Sequence, residues 1–135
     1  MAEPLQEIVG LISEINDSWR QPGGKAIAPQ IADSFSEGAV IVAPDLTRVA
    51  RGREAVARSY DDFVGSATIL ECLMDDPVVD FDGEVGVATV RWRMRYRLGD
   101  AESTEAGYDV YVVRREEDRW RISWRHIVSS TVPNQ

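Results

Sequence analysis

Two side chains in this 135-residue chain carry chemistry worth placing first: Asp109 and His126, the latter its only histidine. Asp109 lies in "GYDVYVVRREED" and His126 in "WRISWRHIVSS". Both stretches alternate as strands do, and the "REED" turn between them makes the two strands antiparallel neighbours. If both side chains face one cavity, they come within hydrogen-bond reach. Burial and mutual interaction shift the pKa values of such a pair toward the middle of the scale. A pair so tuned moves a proton at neutral pH as general acid and base. The competing reading is structural: Asp109 is a polar group on a cavity floor, satisfied by His126 or by a tyrosine hydroxyl.

Other chemistries find little support. One His and one Cys do not make a zinc site, and no metal or other cofactor is expected. No glycine-rich phosphate loop or G-x-S-x-G elbow occurs. Cys72 has no base near it in sequence and reads as a small packed residue.

The elements that must position the pair fall into two halves. Leu5, Ile8, Leu11, Ile12, Ile15 and Trp19 recur at spacings of three and four, one apolar helix face, ended by "QPGG". A shorter helix is expected over 26–35, with Pro29 in its first turn. "EGAVIVAPD" reads as a strand over 39–43 stopped by Pro44, and 47–50 as a short extended partner. "GREAVARSYDDFVGSA" is a third helix with Val56, Tyr60, Phe63 and Val64 inward. Strands follow at 69–74, continuing irregularly to Phe81, then at 85–98, 106–114 and 120–128. Asp82-Gly83 is the hairpin signal between the first and second of these. Helices first and an antiparallel meander after them predict an α+β fold in a single domain over 1–135.

Alternation along "RWRMRYRL" separates two surfaces. Trp92, Met94 and Tyr96 share one face; Arg91, Arg93, Arg95 and Arg97 share the other, which must lie outward because four unpaired guanidinium groups cannot be buried. On the last strand, Ile122, Trp124, His126 and Val128 form the more aromatic set and are expected on the concave side. On the strand between, alternation does not choose between Asp109, Tyr111 and Val113 and the set Tyr108, Val110 and Val112. Trp19, Tyr60, Trp92, Met94, Tyr96, Tyr111 and Trp124 together favour an aromatic, drug-sized cavity for a small apolar or aromatic molecule. Glu71 has two readings. With Asp82-Gly83 as the turn it lies opposite Met94, facing in; a bulge at Pro77 sets it and Asp75 among the arginines.

The formal net charge is −8, which opposes general binding to a phosphate backbone despite the arginine row. The N-terminus carries acids rather than a basic n-region, and no run of about 18 apolar residues occurs. With a single cysteine, these features make a cytoplasmic location the expectation, with neither nucleic acid nor membrane as partner.

The order of three helices, a small hairpin and a long meander ending in "W-x-I-x-x-x-H" resembles the nuclear transport factor 2-like superfamily, in particular its SnoaL-like and ketosteroid-isomerase-like members. "DSFSEGAVIVAPD", "RGREAVARSYDDF", "GYDVYVVRREEDRWRI" and "WRISWRHIVSS" carry the likeness, which runs from about Leu5 to Ser130. The resemblance implies three helices packed in the concave side of a curved, mostly antiparallel sheet, a cone-shaped α+β barrel with a mostly apolar cavity. It implies that Asp109 faces inward, where isomerases and cyclases of these groups carry an acid. It also implies a departure: the isomerase base position falls on Ala43 and the oxyanion tyrosine position on Ile15. A steroid isomerase of that pattern is therefore not expected. The expectation is a cofactor-free isomerase, cyclase or dehydratase using Asp109 with His126, or a non-catalytic ligand-binding or dimerisation module. A homodimer is expected through the outer sheet face that bears Arg91, Arg93, Arg95 and Arg97, a common dimerisation surface in proteins of this kind.

Overall fold

A computed structural model describes residues 3–18 and 27–132. Helix α1 (Pro4–Ser18) presents Ile8, Leu11, Ile12 and Ile15 as one buried stripe. A single helical turn, α2 (Ala28–Ile31), runs through a 3-10 turn (Ala32–Ser34) into strand β1 (Phe35–Val42). The second helix is thus shorter than 26–35 and the strand longer than 39–43. Two backbone amides at the head of α2, those of Ile27 and Ala28, donate to Asp61 on α3 (Arg53–Ser66), which ties the helices together. Strand β2 (Arg48–Arg51) pairs antiparallel with β1, as the short extended partner should.

Strands β3 (Thr68–Met74), β4 (Val78–Asp82), β5 (Val85–Leu98), β6 (Ala101–Glu116) and β7 (Arg119–Thr131) complete one seven-stranded sheet in the order β2-β1-β7-β6-β5-β3, with β4 also on β5. All pairings but the parallel β1–β7 are antiparallel. The core lies between helices and sheet, where Ile8, Ile12, Phe35, Tyr60, Tyr111 and Ile122 are almost wholly buried. The sheet is curved and unclosed, with three helices against it, the expected α+β cone.

Two irregularities decide which side chains face the cavity. The first turn of the meander is Gly83-Glu84, one residue later than Asp82-Gly83, because Gly83 takes the positive φ of 62°. Between Met74 and Val78 the chain then advances four residues while β5 advances three, from Trp92 back to Thr89. This bulge ahead of Val78 sets Glu71 opposite Arg95 on the outer face, and Asp75 donates its backbone N–H to Arg91.

The second irregularity is at Ser123. Val112 pairs with Trp124 and Val113 with Ile122, so Ser123 has no opposite number on β6; its hydroxyl donates to the Val112 carbonyl instead. A one-residue bulge reverses facing beyond it. Trp124 and His126 therefore turn to the outer face with Val112 and Val110, and Arg125 and Ile127 turn inward with Tyr111 and Asp109. The concave placement expected for Trp124 and His126 is corrected on this ground. Strand β6 also begins at Ala101 rather than Ala106, which brings Glu105 into the sheet.

Candidate functional site

Strand β6 sends Asp109 and Tyr111 into the cone, β5 sends Trp92 and Met94, β7 sends Arg125 and Ile127, and α3 supplies Tyr60 from the opposite layer. Their convergence makes a polar centre inside an apolar shell. Asp109 is 3% exposed and accepts three hydrogen bonds: from Trp92 Nε1 at 3.1 Å, from the Tyr111 hydroxyl at 3.2 Å and from Arg125 Nη2 at 2.8 Å. The Arg125 contact is an ion pair with both side chains nearly excluded from water. Arg125 also donates from Nη1 to the Tyr60 hydroxyl at 2.8 Å. Its guanidinium carbon sits 5.2 Å from the Tyr60 ring centre and 5.6 Å from that of Tyr111. Those π faces give the cation a second source of stabilisation. Arg125 Nε has no hydrogen-bond partner among the described residues.

The electrostatics follow from this burial. Burial pushes the phenols of Tyr60 and Tyr111 up, Tyr111 well above the usual tyrosine range, so both stay neutral. Burial works against the charge on Arg125. The Asp109 carboxylate and the two phenols outweigh it, and the guanidinium holds its proton more firmly than in water. In all three of its contacts Asp109 is the acceptor, and a carboxylate in that position is acceptor-only.

A pocket of about 460 Å³ opens beside this centre. Ile41, Phe63, Met74, Trp92, Met94 and Ile127 form its apolar walls; Asp109, Arg125 and Tyr60 lie at one end, Glu105 and Thr131 towards the other. Of the residues expected to line it, Tyr60, Trp92 and Met94 do. Tyr96 and Tyr111 stand just behind the wall: Tyr96 packs edge-on against Phe63 and donates to Glu105 at 2.9 Å, and Tyr111 holds Asp109. Burial, followed by the Glu105 carboxylate, raises the Tyr96 phenol. Trp19 lies outside the described residues. Trp124 and His126 are absent from the pocket. Their rings meet each other at 5.5 Å across the bulged strand, and His126 Nε2 is buried without a partner among the described residues.

The structure therefore does not bring Asp109 and His126 together. Arg125 takes the place expected for the imidazole, and of the residues at this centre it is the least visible in the sequence. Residues 120–128 alternate so regularly that period two assigns Arg125 outward. The one available signal was electrostatic: a carboxylate buried on the cone floor needs a cation, and Arg125 lies on the next strand. Among the described residues, no group of three or more His, Cys, Asp or Glu side chains could hold a metal ion. No helix there is long and apolar enough to cross a membrane.

The outer face of β5 is as alternation requires. Arg91, Arg93 and Arg97 are exposed and Arg95 is partly covered, bonded to Glu102 at 2.9 Å across the β5–β6 turn.

Comparison with known proteins places this arrangement. The family model for the SnoaL-like domain matches residues 25–126. No curated protein matches the chain. Among solved structures, a provisionally assigned scytalone dehydratase from Novosphingobium aromaticivorans superposes with a TM-score of 0.72 at 12% identity, over 97% of this chain and 89% of that one. A conserved protein from Planctomyces limnophilus gives 0.75 at 11% identity, over 94% and 96%. A ketosteroid isomerase-like protein from Erwinia carotovora atroseptica gives 0.69 at 10% identity, over 96% and 93%. At these identities the likeness is one of fold.

Proposed function

Since the chain belongs to the SnoaL-like domain family, whose fold hosts many activities, we propose from its own site that it binds a small, largely apolar or aromatic molecule in the 460 Å³ pocket. The observation that carries this reading is an apolar chamber with a single polar centre, Asp109–Arg125, at one end. That is the usual makeup of a small-molecule site: apolar walls for affinity and a few fixed polar groups for orientation. Trp92, Tyr111 and Tyr60 hold the two charged groups in place from three elements, so the centre is rigid before any ligand arrives.

If chemistry occurs there, it is cofactor-free acid–base chemistry of an isomerase, cyclase or dehydratase. Asp109 is the proton acceptor in this reading, with Arg125 stabilising negative charge on a substrate oxygen. His126 has no part in it from the outer face. The runner-up is a carrier of the same ligands without turnover. A homodimer through the outer sheet face belongs to the same proposal. Exposed Leu73 and Tyr108 flank the row of Arg91, Arg93, Arg95 and Arg97 on that face and Val87 extends it along β5, and sedimentation of the chain before and after Val87→Glu checks it. A cytoplasmic location, the default for a chain with one cysteine, completes the reading.

The test is a calorimetric screen of small aromatic ketones and alcohols against the chain and against Met94→Trp, which fills the pocket. Binding that disappears in Met94→Trp supports the pocket. Binding untouched by the filler, or none at all, overturns it. Once a substrate is found, Asp109→Asn should lower turnover at least about a hundredfold; unchanged turnover removes Asp109 from the chemistry, and binding without turnover leaves the carrier.

A further inference from the structure

The far end of the pocket carries a second carboxylate. Glu105 faces inward from β6, opposite Met94 on β5 and Thr131 on β7, and lines the same chamber as Asp109. Four residues of strand separate the two acids, about 13 Å at the usual rise. Their situations differ. Asp109 has a guanidinium at 2.8 Å. Glu105 is partly buried, has no ion-pair partner among the described residues, and accepts a single hydrogen bond, from the Tyr96 hydroxyl to Oε2. Oε1 has none. A carboxylate drawn out of bulk water without a counter-charge is costly unless something supplies one.

The walls beside it suit a cation. Phe63 lies on the pocket wall next to Tyr96, and Trp92 is one inward position from Met94 towards the floor. Aromatic faces beside a carboxylate attract an organic cation twice, through the charge and through the ring quadrupoles. The charges of the lining agree. Two acids and one arginine leave the chamber one negative charge, in a chain whose formal net charge is −8. Arg125 does not repel a cation at the Glu105 end, because its own charge is matched by Asp109.

We infer that Glu105 is a specificity residue and that the preferred ligand is an apolar or aromatic body bearing a protonated amine, its ammonium group on Glu105 and its apolar part along Trp92 and Met94. The inference rests on the pocket proposed above and names the class of molecule that fills it.

The experiment compares 2-phenylethylammonium with its neutral near-isostere 2-phenylethanol, by calorimetry at pH 7, on the chain and on Glu105→Gln. The ammonium should bind at least about tenfold tighter than the alcohol. Glu105→Gln should bring the two within about twofold, chiefly by weakening the ammonium. Glu105→Asp, which keeps the charge, should retain a preference of the same sign, and it serves as the reading should the Gln variant not fold. Equal affinities on the native chain, or a preference that survives Glu105→Gln, overturn the inference while leaving the pocket standing. Binding of the alcohol alone does the same. Binding of neither probe overturns the inference and the pocket together.

Discussion

Asp109–Arg125 and Glu102–Arg95 are the same chemical pair, at 2.8 and 2.9 Å, on opposite faces of one sheet. The inner pair has side chains 4% and 9% exposed and is ringed by Trp92, Tyr60 and Tyr111; the outer pair is 50% and 43% exposed. Distance is equal and surroundings are not. Water screens the outer pair and solvates either partner alone. Among the described residues Asp109 and Arg125 are held chiefly by each other and by three aromatic side chains, so loss of either leaves the other poorly compensated. Buried ion pairs stabilise little over apolar packing, and this one stands at one end of an apolar pocket, which is the ground on which a binding role is proposed for it.

The harshest way to break the comparison is Arg125→Met. It keeps an unbranched side chain and leaves Asp109 buried without a cation, at an expected cost of about 3–5 kcal/mol. Asp109→Leu combined with Arg125→Met should recover much of that loss, since two apolar groups need no partners. Urea denaturation of the two variants and the native chain measures both. A double variant no more stable than Arg125→Met would show that the loss is one of packing, not of charge.

The inner pair also marks where the sequence stops being legible. Residues 91–98 declared both faces of β5, because arginine and aromatic residues alternate without a break and no bulge intervenes. The first helix was equally plain: Ile8, Leu11, Ile12 and Ile15 need only period 3.6 and a core to bury against. The site was half legible. Alternation and the family resemblance put Asp109, Tyr60, Trp92 and Met94 inside the cone, and they line the pocket there. The partner of Asp109 was not legible, because one unpaired serine exchanged the two faces of β7, and Ser123 looks like any polar residue in an alternating strand. Glu105 was missed for a related reason. "GDAEST" has turn composition, yet the tight turn needs only Gly99 and Asp100, and pairing with β5 carries the rest into strand. Bulges and strand ends depend on the partner strand, and local composition does not hold that information.

A smaller change separates the hydrogen bond at the inner pair from its charge. Tyr111→Phe removes one of the three donors to Asp109 and should cost about 1 kcal/mol at pH 7. Its larger signature lies at alkaline pH. Burial raises the folded-state phenol of Tyr111 well above the unfolded value of about 10. The unfolded chain therefore releases that proton first. The stability linked to it is present in full below about pH 10 and is lost as pH rises through the folded value. Tyr111→Phe lacks this group, so its stability should fall less steeply above about pH 10 than that of the native chain, although Tyr60 keeps part of the slope. Melting temperatures from pH 7 to 11 decide this, and parallel curves for the two proteins would count against the buried phenol.

The smallest effect is expected at the outer pair, where the comparison is sharpest. Arg95 and Glu102 can each be hydrated alone, so a double-mutant cycle of Arg95→Ala and Glu102→Ala should give a coupling of about 0.2–1 kcal/mol. In 1 M salt that coupling should vanish, because the screening length falls to about 3 Å. The same cycle on Asp109 and Arg125 should give several-fold more and keep most of it in salt, since ions do not reach a pair so enclosed. Equal couplings at the two sites, or equal loss of both in salt, would mean that water enters the cone floor freely and that burial is not what sets the inner pair apart.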